Sequence, residues 1–210
     1  MGGSLRPMIS ISSHRKVRRQ AVSALSCRFA LWTALACLLA TFSMNVAAGS
    51  ADVISAESDL VNDMVVVSAE LDFTFSEDAM EAMRSGIALF IDVDFRIKRQ
   101  RRFIWDPKVV YLSRRYRIER HALTDRYVIT DLLTDDRRIH NSLDAAITDL
   151  GNIRGVPIAD QANFDPASDY RIGIRARLDL ESLPAPIRPI AYISPGWRMS
   201  SGWFQWTLPR

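Results

Sequence analysis

Residues 65–75 read VVVSAELDFTF, and apolar side chains occupy every second position from Val65 to Phe75. A period of two over a stretch of this length predicts a β-strand with one buried face and one exposed face. Residues 89–98, LFIDVDFRIK, repeat the pattern and place Asp92 and Asp94 opposite the apolar side chains. Two such strands make a β-rich fold the first expectation.

Further strands are predicted outside this pair. Residues 109–118, 127–129 and 170–178 show apolar periodicity or β-branched runs between turn-forming residues. Arg114 interrupts the apolar face of the first of these, which predicts a β-bulge there. The succession of strands and short turns favours an antiparallel meander.

Two helices are predicted between the strands. Ser76 precedes two acidic residues and Gly86 follows the apolar positions, a pattern typical of a short capped helix. A longer helix is predicted from Thr134 or Asp135 to just before Gly151, with Ile139 on its buried stripe. We therefore expect an α+β fold, a mostly antiparallel β-sheet or sandwich of five to six strands with two helices.

The first 48 residues have a different composition. A basic run at 14–19 precedes an uncharged stretch at 29–51, which contains the small residues 46–48. This order is typical of a secretory signal peptide. The uncharged stretch is also long enough to cross a bilayer core of about 30 Å, so an uncleaved signal anchor is the alternative interpretation. We expect a signal peptide or signal anchor at 1–48, a tether at 49–62 and a single domain at 63–210, located in the periplasm or held at the inner membrane.

Charge and cysteine content exclude several function classes. Residues 1–48 hold six of the chain's 27 basic residues and no acid, which leaves 21 basic against 24 acidic residues beyond them. Since the basic excess belongs to the leader, nucleic acid is not an expected partner. Cys27 and Cys37 both lie in the leader, and the only histidines beyond it are His121 and His140. We expect no metal site, no cofactor and no identifiable catalytic residue.

A basic segment supplies candidate partner-binding residues. Arginine binds carboxylates bidentately, and arginine and tryptophan dominate binding hot spots. The candidates are Arg99, Arg101, Arg102, Trp105 and Arg115. The alternative is that these arginines pair with acidic residues of neighbouring strands and have a structural role only.

The aromatic C-terminal segment supplies a second set of candidates. Trp197, Trp203 and Trp206 lie within ten residues of one another. They could close the core, line a pocket for a small ligand or lipid, or lie at a membrane interface. A hydrolase built around His121 or His140 is a third hypothesis, although no nucleophile motif accompanies either histidine.

Several segments together resemble a known family. They are Leu71 to Phe75, Gly86 to Leu89, Phe103 to Asp106, Tyr111 to Ser113, Arg175 to Asp179 before Leu183-Pro184, and Trp197 to Trp206. They resemble the uncharacterised proteobacterial family of exported or membrane-anchored proteins known as domain-of-unknown-function family 4390.

The resemblance implies little about activity. The family has no established activity, and the resemblance implies an accessory envelope module that acts beside a membrane sensor kinase. The expected function is thus a non-enzymatic, partner-binding module of an inner-membrane signalling system. A periplasmic protein that binds a small ligand or lipid is the alternative.

Overall fold

Two antiparallel β-sheets make up most of the structure. The computed structural model describes residues 48–100 and 108–208. The strands are β1 (Ser50–Val61), β2 (Met64–Thr74), β3 (Leu89–Arg99), β4 (Lys108–His121), β5 (Arg126–Asp131), β6 (Asp136–His140), β7 (Asn152–Asp160), β8 (Tyr170–Leu178) and β9 (Phe204–Thr207). The helices in these ranges are α1 (Glu77–Arg84), α2 (Leu143–Gly151) and α3 (Arg188–Ile193).

The strand order confirms the predicted α+β class. One sheet has the order β1-β2-β7 and the other the order β6-β5-β4-β3-β8-β9. Strands β3 to β5 form the predicted antiparallel meander, and β6, which was not predicted as a strand, extends it. The described strands number nine rather than the five or six predicted, because several short or polar edge strands carry no clear alternation.

Strands β2 and β3, which the sequence alternation predicted, form the centre of the core. Strand β2 alternates between buried and more exposed positions along its length. On β3, the five apolar residues Leu89, Ile91, Val93, Phe95 and Ile97 have no exposed surface. They pack in one hydrophobic cluster with residues of both sheets and all three helices. Burial of these faces is the main stabilising contribution to the fold.

The tether predicted at 49–62 is wrong, because Ser50–Val61 form strand β1. Every residue from Ser55 to Val61 has a partner on β2. The turn between the strands consists of Asn62 and Asp63, whose φ angles are 50° and 65°. Two consecutive residues of positive φ define the tight hairpin turn that asparagine and aspartate tolerate. An edge strand needs backbone hydrogen bonds more than apolar side chains, so its polar composition resembled a linker.

The long helix predicted from residue 134 is also wrong in its first half. Asp136–His140 form β6, which pairs with β5, and Ile139 is 59% exposed on this edge strand. Helix α2 begins only at Leu143, after Ser142 accepts a hydrogen bond from the Ala145 amide at 3.2 Å. The cap predicted at Ser76 is confirmed, since its side chain accepts a hydrogen bond from the Ala79 amide at 3.3 Å.

The β-bulge predicted at Arg114 is wrong. Strand β4 keeps a continuous register with β3 at this point, where Arg114 lies opposite Val93. The side chain stays on the inner side of the strand because Asp131 of β5 binds it at 2.6 Å. A buried carboxylate therefore removes the need to turn the arginine outward.

Candidate functional site

The outer face of the six-stranded sheet carries a continuous array of charged side chains. The apolar residues of β3 face the core, so the alternate positions 92, 94 and 96 point to the other side. The register of β4 and β8 places polar residues beside each of them. We call this surface the arginine face; it consists of Asp92, Asp94, Arg96, Tyr111, Ser113, Arg115, Arg175, Arg177 and Trp203.

Asp92 binds arginines from both neighbouring strands. Its side chain is 3% exposed and accepts two hydrogen bonds from Arg115, at 2.7 and 3.3 Å. Arg177 donates a third, at 3.1 Å. Arg115 also lies 3.2 Å from Asp179, at the end of β8. Asp92 is thus a fixed counter-ion that holds two partly exposed guanidinium groups in place.

Asp94 is fully buried and fully hydrogen-bonded. It accepts hydrogen bonds from Tyr111 and Ser113, both at 2.8 Å, and from Arg175 at 2.6 Å. Burial by itself would raise the pKa of Asp94, but these hydrogen bonds and the charge of Arg177 hold the pKa below the ordinary value. An ionised carboxylate in this setting is a poor proton carrier, and it orients the arginines around it.

Arg96 lies beside this network without a carboxylate of its own. Its guanidinium carbon is 3.6 Å from the centroid of the Trp203 ring, and that of Arg175 is 4.7 Å from the same ring. Among the described residues no acidic group forms an ion pair with Arg96, and the Nε atoms of Arg96 and Arg175 have no hydrogen-bond partner. Burial lowers the pKa of Arg96, and repulsion from Arg175 lowers it further.

A glycine makes room for this stack. Gly173 lies opposite Arg96 on β8 and is buried. A Cβ atom at this position would lie 3.2 Å from the Arg96 Nε atom and 3.3 Å from the Trp203 ring. The absence of a side chain therefore lets the arginine and the tryptophan lie across the strand.

The positive charge extends beyond the stack. Lys98 on β3 lies directly opposite Arg171 on β8, on the same side of the sheet as Arg96. Cations placed opposite each other are destabilising unless an anion lies near them. This end of the arginine face thus has cations in excess of its carboxylates, an arrangement that favours an anionic ligand.

The structure separates the basic residues that the sequence singled out. Arg115 belongs to the arginine face, with its side chain 44% exposed. Arg99 lies at the end of β3, where it binds Asp165 at 2.8 Å and also hydrogen-bonds Ser168. It holds the loop before β8. Arg101, Arg102 and Trp105 lie outside the described residues.

The three tryptophans do not share one pocket. Trp197 is 5% exposed in the core. Trp206 packs against the core and donates a hydrogen bond from Nε1 to Ser58 at 3.0 Å. Trp203 lies on the arginine face. The pocket predicted from their spacing is therefore wrong in its lining, since each ring has a different environment.

A cavity of about 940 Å³ does exist near one end of the molecule. It lies beside the β1–β2 hairpin and the loop before β8, and none of the three tryptophans lines it. Val65, Phe164, Tyr170 and Leu208 contribute apolar surface, and aspartates of the hairpin and loop contribute acidic groups. Its volume suits a small organic molecule.

The histidines have local partners. His121 lies 3.2 Å from the Thr124 hydroxyl, and His140 lies 3.0 Å from Asp149. Within residues 48–100 and 108–208, no group of three His, Cys, Asp or Glu residues is arranged to hold a metal ion. In the same ranges, no helix has both the length and the apolar composition needed to cross a bilayer.

The fold and the arginine face define an α+β domain with a charged, tryptophan-stacked sheet surface. The family model described as "Domain of unknown function (DUF4390)" matches residues 48–207, and the chain belongs to this family. Comparison with the curated proteins and with the solved structures gave no match.

The arginine face as a unit was not predicted from the sequence. Asp92 and Asp94 were expected on the exposed face of their strand, yet they are 2% and 0% exposed. The sequence did contain one signal of this face. Two acidic residues two positions apart on β3 match two arginines two positions apart on β8, Arg175 and Arg177, as they would if the two strands paired. Only the register shows that Arg96, Gly173 and Trp203 meet beside them.

Proposed function

We propose that this protein is a non-enzymatic binding module of the cell envelope that recognises an acidic segment of a protein partner through the arginine face. The single observation that carries the proposal is Arg96, which is stacked on Trp203 and has no carboxylate partner in the described part of the chain. A half-buried cation in this position is costly unless a ligand compensates it.

The chemistry of the face favours binding over catalysis. The buried Asp94 carboxylate accepts hydrogen bonds from Tyr111, Ser113 and Arg175, which hold its pKa below the ordinary value, so it is a poor proton donor. The arginines are fixed on rigid strands. Preorganised guanidinium groups bind carboxylates with little loss of conformational freedom.

The expected location and partner remain part of this proposal. The leader at 1–48 supports export or anchoring at the inner membrane, and a membrane sensor kinase is the partner to test first. An acidic segment is favoured over a neutral one because Lys98 and Arg171 place two further cations beside Arg96.

The test is crosslinking in cells that express the C-terminally tagged chain, followed by identification of what co-purifies. Arg96→Glu is compared with Arg154→Glu, which reverses the charge of an exposed residue on the three-stranded sheet. We expect Arg96→Glu to reduce recovery of the partner by about tenfold or more, which corresponds to about 1.4 kcal/mol of binding free energy. Arg96→Gln removes the charge without adding a buried acid, and it should reduce recovery in the same direction.

Two results would count against the proposal. Equal recovery of the partner with Arg96→Glu and with Arg154→Glu would show that the arginine face has a structural role only. Recovery of the protein alone, with no partner, would contradict the proposal that this domain is a binding module. Far-ultraviolet circular dichroism of each purified variant separates lost binding from lost folding.

A second candidate function rests on the cavity of about 940 Å³. An apolar base with acidic groups suits a small ligand that has an apolar body and a cationic group. Native mass spectrometry of the purified chain would reveal a bound molecule, and Leu208→Trp should displace it by filling the cavity. A cavity that contains only solvent, with no ligand retained, would leave partner binding as the sole candidate.

A further inference from the structure

The segment after β8 has an unusual surface. From residue 182 to the end, the sequence contains no acidic residue. Helix α3 lies in this segment and exposes three large apolar side chains: Ile190 is 58% exposed, Tyr192 46% and Ile193 79%. The helix is held to the core by Ala191, which is fully buried, and by Ile187.

The start of the domain is fixed beside this helix. The Gly49 amide donates a hydrogen bond to the Gly196 carbonyl at 3.3 Å. Gly196 belongs to a 3₁₀ turn, Pro195–Trp197, which follows α3 after a single residue. The turn is anchored by the buried side chain of Trp197. The chain therefore enters the domain next to the exposed apolar residues of α3.

The sequence that leads to Gly49 is uncharged. No Asp, Glu, Lys or Arg occurs between residues 29 and 51. If this stretch stays in the bilayer, as the signal-anchor hypothesis expects, the domain begins within a few residues of the membrane in sequence, because β1 begins at Ser50. The exposed face of α3 then lies at the membrane surface.

The charges around α3 suit that position. Arg188 donates to the Leu183 carbonyl at 2.8 Å, and Arg198 donates to the Tyr192 carbonyl at 3.0 Å. Both arginines are exposed, and they flank the apolar residues in the sequence. Helix α1 packs on the same 3₁₀ turn; its Arg84 pairs with Glu77 at 2.7 Å and with Glu81 at 3.7 Å, and Asp78 is the third acidic residue of the helix. Tyrosine and arginine beside aliphatic side chains are typical of the membrane interface.

We infer that α3 docks on the lipid bilayer, with Ile190, Tyr192 and Ile193 in the interfacial region and Arg188 and Arg198 near the lipid phosphates. This contact is separate from the arginine face and does not depend on a protein partner. It would fix the orientation of the domain on the membrane.

The test measures contact with lipid directly in the full chain. The only cysteines, Cys27 and Cys37, are replaced by serine, and Ile193→Cys is labelled with an environment-sensitive fluorophore. The matched control is Val61→Cys, an apolar position that is 49% exposed at the far end of β1, about 35 Å from Ser50. Both proteins are reconstituted in vesicles of phosphatidylcholine and phosphatidylglycerol that contain brominated lipid.

We expect bromine to quench the label at residue 193 several-fold more than the label at residue 61. Adding Ile190→Ser and Tyr192→Ser should reduce quenching at residue 193 toward the control level. Equal quenching at both sites would overturn the inference. Protection of the residue 193 label from aqueous iodide in concentrated, lipid-free protein would assign the face to a second copy of the chain and overturn it as well. Since no partner is present, neither result depends on the proposed function.

Discussion

The guanidinium group of Arg96 lies over the indole ring of Trp203, with 3.6 Å between the Arg96 Cζ atom and the ring centroid. A cation–π contact of this kind contributes about 0.5–2 kcal/mol. The contact also removes the arginine from water on one side, so a ligand meets a cation that is already oriented and partly desolvated. The tryptophan, which lies just before β9, thereby connects the end of the chain to the centre of the arginine face.

Gly173→Ala tests whether this stack depends on the missing side chain. The new Cβ atom would lie 3.2 Å from the Arg96 Nε atom and 3.2 Å from the Gln205 Cγ atom. These two groups and the Trp203 ring, at 3.3 Å, belong to side chains that can each shift by a few tenths of an ångström, so we expect a loss of about 1 kcal/mol in the free energy of unfolding. We expect partner recovery to fall by more than this loss of stability would cause. We also expect the tryptophan emission to shift. Unchanged emission and recovery would show that the stack tolerates a methyl group.

The hydrogen bond between Trp206 and Ser58 joins the two sheets. Trp206 lies on β9 of the six-stranded sheet and Ser58 on β1 of the three-stranded sheet, with 3.0 Å between Nε1 and Oγ. We expect Trp206→Phe and Ser58→Ala each to lower the free energy of unfolding by about 1 kcal/mol or more. Their coupling in a double-mutant cycle should also be about 1 kcal/mol.

Urea unfolding of the single and double variants measures this coupling. Ser58→Ala combined with Trp197→Phe is the control, because Trp197 is a buried core residue that takes no part in the hydrogen bond between Trp206 and Ser58. The control pair should be additive. Additivity of the Trp206 and Ser58 variants would mean that the bond contributes nothing to holding the sheets together.

The ion pair between Arg114 and Asp131 predicts strong non-additivity. Their side chains are 13% and 8% exposed, and the charged atoms are 2.6 Å apart. Arg114→Met leaves a buried carboxylate without its cation, which should cost about 3 kcal/mol. Asp131→Asn introduced into that variant should restore a substantial part of the loss, since the isolated charge is removed. If the second change lowers stability further, the pair is not the main constraint on Arg114.

The sequence predicted the elements whose side chains have one apolar and one polar face. Strands β2 and β3 were recognised because alternation survives wherever one face packs in the core. The Ser76 cap was recognised because capping depends on a local hydrogen bond. Strands β1 and β6 were not, because edge pairing is decided by backbone hydrogen bonds and by turns such as Asn62-Asp63.

The candidate site was predictable only in part. Arg115 was identified by its place in a basic strand, but Arg96 was not distinguished from the other arginines. Its role depends on register with Gly173 and on Trp203, which is far away in sequence. Long-range pairing of this kind leaves no periodic signal, so the site could be found only after the strands had been aligned.

Asp94 gives the stability of the arginine face a defined pH dependence. Although burial opposes its charged form, the hydrogen bonds from Arg175, Ser113 and Tyr111 keep the pKa of Asp94 in the folded protein below the ordinary value of 3.8. A depressed carboxyl pKa means that the folded state binds the proton less tightly than the unfolded state. The stabilisation is therefore fully present above pH 3.8 and declines as the pH falls through the folded-state pKa.

Asp94→Asn should remove this contribution. We expect it to lower the free energy of unfolding by about 2–3 kcal/mol at neutral pH, because Arg175 and Arg177 lose a buried counter-ion but keep some access to water. Urea unfolding from neutral pH into the acid range should show the difference between wild type and variant narrowing below pH 3.8. Asp52→Asn on the exposed face of β1 is the matched control and should change stability by less than about 0.5 kcal/mol. A difference that stays constant through the acid range would mean that lost packing, rather than the ionised carboxylate, accounts for the effect of the substitution.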